Sequence, residues 1–334
     1  MTIITAPGEI YPHLYLFDTL QFTTPRITTS FAYWDGTTCI LLDVGTSDNV
    51  RQLLKNLKKF DIPLEKVQGI LLTHYHFDHS GGVTKLWRKI SKKNPEFKIF
   101  TTAATQQKLQ NAGEHLIGAK TTFGEFVGEM PPLTTEEAQH AYSLIEYDKV
   151  LPFTLDDGYE FKLISTPGHS PDHSSPLLLH NNKPIFLFCG EASGTLYNGK
   201  ELRSMPTSMP PNFKYEIYNQ SLDKMRHIQP EIIGLCHFGA VSGKEAAMKF
   251  LTDHQVYMKD FRQMIITAFA ENPSTRHVIT RLKATSLGLE SRVGDYYKEH
   301  ADSQYFQNLF LAVTFGVMVD LGYRKSKYET PEKE

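Results

Sequence analysis

The strongest constraint on this chain is the segment at residues 73–79, which reads T-H-Y-H-F-D-H. It follows residues 67–72, an apolar run with the length of a buried strand, and it precedes Ser-Gly-Gly. Loops at the carboxyl ends of strands in layered α/β folds can direct several side chains into one crevice. Several imidazoles repel one another once protonated, so a cluster of them is costly without a purpose. The segment therefore predicts an α/β fold with a metal site at this strand end.

Four side chains of this segment are candidate ligands. The spacing of His74 and His76 sends two imidazoles to the same side, whereas Asp78 and His79 lie beyond the bend and can face a second ion. Imidazole and carboxylate groups suit zinc, iron and manganese alike. We therefore expect two divalent metal ions, with zinc as the first choice and iron or manganese as alternatives.

Three further segments place candidate ligands after predicted strands. His169 and His173 belong to T-P-G-H-S-P-D-H, Glu191 belongs to G-E-A-S-G, and His237 belongs to C-H-F-G. Each signal is weak alone, because a single histidine at a strand end is more often structural. Their occurrence in this order after the first motif favours one shared site. For His173, a loop-stabilising role ranks ahead of a polar role beside the ligands.

This combination of motifs resembles the metallo-β-lactamase superfamily of hydrolases, over roughly residues 10–245. The resemblance implies a four-layer αβ/βα sandwich with the metals in the groove between two mixed sheets. It implies that one ion is held by three imidazoles and the other by two imidazoles and a carboxylate: His74, His76 and His169 for the first, and Asp78, His79 and His237 for the second. Asp43, in L-L-D-V-G, matches a position that supports the ligands from behind.

Glu191 departs from the family pattern. The family normally has Asp at this position, and that carboxylate bridges the two ions. Glu has the same charge and donor atoms but one more methylene, so it can bridge if its backbone sits slightly farther back. Otherwise it binds a single ion. We expect a metallated site with Glu191 as a ligand.

The resemblance also implies an activity. A metal-activated hydroxide would attack a carbonyl ester, lactone or thioester, and Asp78 would ligate while accepting a hydrogen bond from that nucleophile. The motifs look most like those of lactonase- and thioesterase-type members with a helical C-terminal extension. Since the fold alone does not decide the substrate, three alternatives stay open. They are a persulfide dioxygenase or other iron redox enzyme of the same fold, a phosphodiesterase, and a non-catalytic metal-containing binding protein.

The secondary-structure pattern predicts a catalytic domain at residues 1–245, with a helical insertion at residues 103–145. Residues 246–324 are expected to form a helical extension packed on that domain, and residues 325–334 a flexible charged tail. We expect the insertion and the extension to close over the groove and to shape an apolar acyl pocket.

The composition limits the partners. The 35 basic and 37 acidic residues give a formal net charge of −2, so no overall attraction to nucleic acid or anionic lipid is expected. The sequence contains no pattern of a signal peptide or a membrane span. Its three cysteines lack C-x-x-C spacing, which favours a reducing cytoplasm. We expect a small-molecule substrate with an apolar acyl part, no nucleic-acid or membrane partner, and leave a homodimer open.

Overall fold

A computed structural model describes residues 2–156, 158–300 and 304–326, with all side chains in these ranges except those of residues 125–126 and 297–300. The strands in the described residues are β1 (Ile3–Ile4), β2 (Gly8–Tyr11), β3 (Leu14–Asp18), β4 (Thr29–Trp34), β5 (Cys39–Leu42), β6 (Val67–Leu71), β7 (Lys98–Thr101), β8 (Tyr142–Leu144), β9 (Tyr159–Ser165), β10 (Ser174–His180), β11 (Lys183–Phe188), β12 (Ile232–Gly234) and β13 (Ala240–Ser242). The α-helices are α1 (Val50–Lys59), α2 (Phe77–Ser80), α3 (Val83–Ile90), α4 (Ala103–Gln110), α5 (Gly113–Phe123), α6 (Thr135–Ala141), α7 (Tyr215–Ile228), α8 (Lys244–Glu271), α9 (Thr275–Lys283), α10 (Leu289–His300) and α11 (Gln304–Asp320).

The strands form two mixed sheets. The larger sheet has the order β2-β3-β4-β5-β6-β7-β8, and the smaller has the order β1-β13-β12-β11-β10-β9. Strands β5 to β8 pair in parallel, as do β11 and β12, while β3, β4 and β5 pair antiparallel. The β4–β5 hairpin turns at Asp35, whose carboxylate accepts hydrogen bonds from the backbone N–H groups of Thr37 and Thr38. The sequence has Asp35-Gly36 here, a pair typical of tight hairpin turns, and the structure confirms the turn that this pair predicts.

Three separate hydrophobic cores join four layers. Leu53 of α1 and Leu86 of α3 pack on the outer face of the larger sheet. Between the sheets, the ring centroids of Phe31 and Phe186 lie 5.0 Å apart. Helices α7 and α8 cover the outer face of the smaller sheet, with Phe250 of α8 fully buried. This arrangement confirms the predicted four-layer αβ/βα sandwich, because each sheet carries helices on one face and the other sheet on the opposite face.

The strand ends determine where the site forms. The segments that carry the predicted ligands follow β6, β9, β11 and β12, and Asp43 follows β5. Because β5 is parallel to β6 and β11 is parallel to β12, these segments leave each sheet at the same edge. The sandwich brings the two edges together at one groove.

The helices beyond residue 244 pack directly on the sandwich. Phe250, Leu251, Met258 and Phe261 of α8 are buried, so the Met and aromatic stripe belongs to the core, as its spacing favours. Within the expected helical extension, the apolar spacing predicts individual helices only near residues 244–270, 273–286 and 304–322, so α10 itself was not predicted. The insertion at residues 103–145 contains α4, α5 and α6, but its end forms β8, which the helical description omitted.

The division at residue 245 stays a prediction. Within the expected tail, residues 327–334 lie outside the described part of the chain. No α-helix among the described residues is both long enough and apolar enough for a membrane crossing.

Candidate metal centre

The first ligand group consists of three imidazoles and one carboxylate. The candidate ligand atoms of His74, His76, His169 and Glu191 all lie within 4.8 Å of one another. Nε2 of His169 lies 3.0 Å from Nδ1 of His76 and 2.7 Å from Oε2 of Glu191. His74 and His169 are fully buried, and the side chain of His76 is 13% exposed. The three imidazoles predicted for one ion are therefore together.

The second ligand group follows the bend of the motif. Oδ1 of Asp78 lies 3.6 Å from Nε2 of His79, and Oδ2 of Asp78 lies 3.4 Å from Nε2 of His237. Helix α2 begins after His76, so Asp78 and His79 lie on its first turn. The three side chains predicted for the other ion are thus also together.

Glu191 lies between the two groups. Its Oε2 is 3.2 Å from Nε2 of His74 and 3.3 Å from Nε2 of His79, and its Oε1 is 3.8 Å from Nε2 of His237. A single carboxylate therefore reaches imidazoles of both groups, in spite of the extra methylene. This is the geometry that a bridging ligand requires.

Backbone and hydroxyl oxygens fix three of the imidazoles. These bonds join Nδ1 of His74 to Oγ1 of Thr73 at 3.0 Å, Nδ1 of His169 to the carbonyl oxygen of Thr207 at 2.6 Å, and Nδ1 of His237 to the carbonyl oxygen of Ile27 at 2.7 Å. A carbonyl oxygen only accepts, so Nδ1 of His169 and of His237 must carry the proton. Their Nε2 lone pairs are then free to bind a cation in the site.

Asp43 supports the motif from behind. It is fully buried, and its two carboxylate oxygens accept hydrogen bonds from the backbone N–H of Thr73 at 2.8 Å and from Oγ1 of Thr73 at 2.7 Å. Its Oδ2 also lies 3.7 Å from Nδ1 of His79. Burial raises the pKa of the Asp43 carboxyl to about 6, although His79 and the Thr73 hydrogen bonds act in the opposite direction. Asp43 therefore holds the start of the motif and one ligand at the same time.

His173 lies behind Glu191. Its ring is fully buried, Nδ1 is 2.9 Å from Oγ1 of Thr166, and Nε2 accepts the backbone N–H of Glu191 at 3.1 Å. Both residues predicted to stand behind the ligands, Asp43 and His173, are thus in contact with ligand-bearing segments. His173 therefore stabilises its own loop, which is the role that the sequence ranked first, and it also contacts the backbone of the candidate ligand Glu191.

The donor atoms fit a divalent cation. Nε2 of His74 and both ring nitrogens of His79 are buried without a hydrogen-bond partner among the described residues. An unpartnered buried polar atom costs about 1–3 kcal/mol. Nε2 of His169 lies only 2.7 Å from Oε2 of Glu191, so a neutral His169 with its proton on Nδ1 would direct the Nε2 lone pair at that oxygen. Facing lone pairs repel unless a positive charge lies among them, and cations bound by imidazole and carboxylate meet this need.

The charge states of the ligands support the same conclusion. Burial opposes ionisation of Asp78, but His79 and His237 outweigh it and lower the pKa of this carboxyl to about 2. Burial and the neighbouring His76 hold the pKa of His74 well below its ordinary value. At neutral pH the centre therefore offers an ionised carboxylate and a neutral imidazole, the forms that bind metals.

Two groups beside the centre were missed by the sequence interpretation. His115 of α5 stacks on His76, with ring centroids 4.8 Å apart and an interplanar angle of 2°. The hydroxyl groups of Tyr197 and Tyr305 lie 3.1 Å apart over the centre's other side. No sequence motif indicates these residues, because helix α5, the loop that contains Tyr197 and helix α11 are far apart in the sequence.

The centre opens into a cavity of about 780 Å³. His76, Asp78, Glu191 and His237 line its floor. Helices α5 and α11 form facing walls, and the loop at residues 206–212 completes the lining. The insertion and the C-terminal helices therefore both border the cavity, as expected.

Comparison with known proteins identifies related sequences. A family model described as the metallo-beta-lactamase superfamily matches residues 23–237. The metallo-beta-lactamase fold-containing protein ST1585 of Sulfurisphaera tokodaii is 29% identical over 224 residues, which cover 66% of this chain and 76% of that protein. A hydroxyacylglutathione hydrolase of Idiomarina loihiensis is 27% identical over 202 residues, covering 59% of this chain and 54% of that protein. The chain thus spans about three quarters of one relative and just over half of the other.

Solved structures show the same fold. The crystal structure of ST1585 aligns with a TM-score of 0.59 at 21% identity, over 94% of this chain and 96% of that chain. The metallo-beta-lactamase family protein TTHA1429 of Thermus thermophilus aligns with a TM-score of 0.59 at 14% identity, over 94% of each chain. The shared fold therefore extends past residue 237 into the C-terminal helices.

Proposed function

The chain belongs to the metallo-β-lactamase superfamily, and we propose that it is a metal-dependent hydrolase of small carbonyl esters, lactones or thioesters. The observation that carries the proposal is the position of Glu191, whose carboxylate lies between two ligand groups on the floor of the cavity. A substrate bound in the cavity can therefore contact both ligand groups at the same time. We propose two divalent ions there, with zinc as the first choice.

The ligand groups divide the roles of the side chains. One group, His74, His76 and His169, would hold the first ion, and the other, Asp78, His79 and His237, would hold the second. Glu191 would contact both. When bound, such ions supply Lewis-acid activation of water and polarisation of the substrate's carbonyl group. The protein's part is to fix the donor atoms, which it does through the hydrogen bonds behind the imidazoles.

Asp78 is the proposed catalytic carboxylate. Its side chain is 16% exposed and lines the cavity, so a water molecule can reach it. Because its pKa is lowered to about 2, the carboxylate stays ionised at neutral pH and accepts hydrogen bonds. It can therefore orient the attacking water by accepting one of its protons in a hydrogen bond.

The walls of the cavity favour a substrate with an apolar acyl part. Leu309, Ala312 and Val313 of α11 face Ala119 of α5 and Met209 of the adjoining loop. Burying apolar groups against such a surface contributes about 25 cal/mol for each Å² removed from water. The name of the Idiomarina relative denotes hydrolysis of an acylglutathione, which is a thioester, and this supports the thioester option. A phosphodiester would gain little from these apolar walls.

A substrate panel tests the proposal with one metal-analysed preparation. The panel contains aryl esters, acyl thioesters, lactones, β-lactams and bis-aryl phosphates, with a persulfide assayed by oxygen uptake. We expect turnover of the carbonyl substrates, rising with acyl chain length. Asp78→Asn should abolish it, whereas Asp260→Asn, an exposed site on α8, should leave it intact.

The panel also separates the alternatives. Hydrolysis confined to the phosphates would replace this proposal with a phosphodiesterase, and oxygen uptake confined to the persulfide would replace it with a redox enzyme. A metal-loaded preparation that turns over nothing would favour a binding protein. Any of these three results contradicts the acyl hydrolase.

A further inference from the structure

His115 is a polar group at the centre that the proposed chemistry has not used. Its ring stacks on that of His76 at 4.8 Å and contacts the edge of Tyr75 at 4.9 Å between ring centroids. It lies in the cavity wall formed by α5. The imidazole of His115 is therefore in direct contact with the ring of His76, a candidate ligand of the first ion.

A backbone hydrogen bond defines which nitrogen of His115 carries the proton. Nε2 of His115 lies 3.1 Å from the backbone nitrogen of Phe77 and accepts its N–H. An imidazole nitrogen that accepts has no proton, so the ring is neutral and Nδ1 carries the N–H. Nδ1 thus becomes an obligatory donor, as the hydrogen-bond network requires.

This donor makes no hydrogen bond within the part of the chain that the structure describes. Nδ1 of His115 is not fully buried, and the residue lines the cavity. A donor accessible from the cavity and next to a ligand of the centre is placed to meet an acceptor atom of the substrate. The acceptor nearest the reacting carbon is the carbonyl oxygen.

We propose that Nδ1–H of His115 donates a hydrogen bond to the substrate's carbonyl oxygen as that oxygen gains negative charge. The inference rests on the proposed acyl hydrolysis. When the oxygen of water bonds to the acyl carbon, the π electron pair of the carbonyl moves onto its oxygen. Collapse of the adduct restores the carbonyl and breaks the bond between the acyl carbon and the oxygen or sulfur of the leaving group. One proton of the attacking water ends on that oxygen or sulfur, so the products are a carboxylic acid and an alcohol or thiol. The His115 proton is shared throughout and is not transferred.

The donor is held rigidly, which is what makes such a hydrogen bond effective. The stack on His76 and the Phe77 N–H fix the ring's plane and rotation. Helix α5 is in turn tied to α11, because Nδ2 of Asn308 donates to the carbonyl oxygen of Thr122 at 2.8 Å. A preorganised donor stabilises developing charge without reorganising during the reaction. The C-terminal helix therefore contributes to the site through His115.

Two substitutions separate donation from packing. His115→Phe keeps a ring to stack on His76 but removes Nδ1–H, whereas His115→Asn restores an amide donor near the position of Nδ1. For the best acyl substrate of the panel, we expect kcat of His115→Phe to fall about 100-fold with little change in KM. His115→Asn should recover about tenfold of that loss. His140→Asn, on the exposed surface of α6, is the matched control and should behave like the unchanged protein.

Two further measurements exclude a structural role. Metal content should be the same in all four proteins, since no ligand is removed. Both His115 variants lose the acceptor of the Phe77 N–H, so their thermal unfolding midpoints should fall by similar amounts, and a difference in kcat between them then reports the donor. Besides the Nδ1-protonated rings of His169 and His237, histidine-specific ¹⁵N NMR of the zinc-loaded protein should show a further Nδ1-protonated ring. Its signal should disappear in His115→Phe and shift when octanoate, a product analogue, is added.

The outcomes distinguish this inference from the proposed function. If the unchanged protein hydrolyses no acyl substrate, the proposed function fails. The NMR measurement with octanoate then tests the His115 donor separately, and a His115 signal that does not shift overturns the donor role. If the protein is active, an unchanged kcat in His115→Phe, or a ring protonated at Nε2, overturns it. Equal loss of metal and activity in both His115 variants also overturns it, because His115 would then only support the fold.

Discussion

Nε2 of His173 accepts a hydrogen bond of 3.1 Å from the backbone N–H of Glu191, the residue whose carboxylate joins the two ligand groups. The contact is tight on both sides. A Cβ atom at Gly190 would lie 2.5 Å from Nε2 of His173, so only glycine fits there. The imidazole of His173 therefore positions the backbone of residue 191 relative to the two ligand groups. The side chain of Glu191, one methylene longer than that of Asp, has to span the distance from this backbone to the ligand groups.

Removing this acceptor should weaken metal binding. In His173→Phe the Glu191 N–H is left buried and unpartnered, at a cost of about 1–3 kcal/mol. We expect the affinity for zinc to fall about tenfold or more. His173→Gln, whose amide oxygen can replace Nε2, should retain most of it. Competition with a chromophoric chelator measures both, and equal affinities in the Phe and Gln variants would show that the contact has no influence on the metal.

The carboxylate of Glu191 should be necessary for the second ion. Glu191→Gln has the same size but no negative charge between the two groups, so we expect its zinc content to fall from two ions per chain toward one. Glu191→Asp should retain more metal, because it keeps the charge. Elemental analysis after gel filtration measures the ratio. Two tightly held ions in Glu191→Gln would contradict the bridging role.

Asp43 should influence metal binding through Thr73 and His79, which it contacts. Asp43→Asn replaces one of the two acceptors of Thr73 with a donor, which disturbs the residue preceding His74. Loss of such a supporting contact typically costs about 10–100-fold in metal affinity. The chelator competition applies here too, with Asp260→Asn as the surface control. An Asp43→Asn protein with unchanged affinity would show that the rest of the loop holds the motif.

His254 should make the folded state sensitive to acid. Its Nδ1 lies 2.8 Å from Oγ of Ser204 and its Nε2 lies 2.8 Å from the hydroxyl of Tyr218. Burial, with the nearby Arg292, lowers the pKa of His254 from 6.5 to about 3. As pH falls through 6.5, the unfolded chain takes up this proton and the folded chain does not, so stability is lost from there down to about pH 3.

Urea unfolding of the metal-free protein at several pH values measures this effect. One proton corresponds to a slope of about 1.4 kcal/mol per pH unit. In His254→Gln, the free energy of unfolding should depend on pH less steeply by about that amount between roughly pH 6 and pH 4. His227→Gln, at an exposed site on α7, should follow the unchanged protein. Parallel curves for all three proteins would mean that His254 does not stay neutral when folded.

The docking of α11 should depend on Gly316. A Cβ atom there would collide with the carbonyl oxygen of Ser208. The side chain of Ser208 also contacts α11, because its Oγ donates a hydrogen bond to the carbonyl oxygen of Val313 at 2.7 Å. Gly316→Ala should therefore destabilise the protein by about 1–3 kcal/mol. Gly113→Ala, at a helical glycine with open space around it, should be neutral or slightly stabilising. Thermal unfolding compares them, and equal midpoints would show that the loop yields.

The sequence located the ligands because each one follows a strand. An apolar run ending in a polar motif specifies both the burial of the strand and the exposure of its end, and these are local properties. His74, His169 and His237 therefore lie where their strands predicted. The same local logic applies to Asp35-Gly36, a turn signal that lies at the β4–β5 hairpin, and to the apolar spacing at Tyr215–Ile228, which predicts a helix with the bounds of α7.

Other parts of the site depend on contacts that periodicity does not encode. Helix α10 was missed because its glycine and mixed polarity weaken the helical pattern, with a non-helical Gly294 inside it. His115 was missed because a lone histidine in a helix is usually unremarkable. Its importance arises from Phe77, 38 residues away in the sequence.

By itself, the sequence determined the strands, the ligand types and their order, because backbone state and burial are written into the spacing of apolar and polar residues. Only the tertiary structure decided that the Glu191 carboxylate lies within reach of imidazoles of both groups, that His115 stacks on His76 beside the cavity and that α11 lines the same cavity as α5. These features depend on how surfaces far apart in the chain pack together. Packing at that range is set by shape and side-chain volume, which no local pattern specifies.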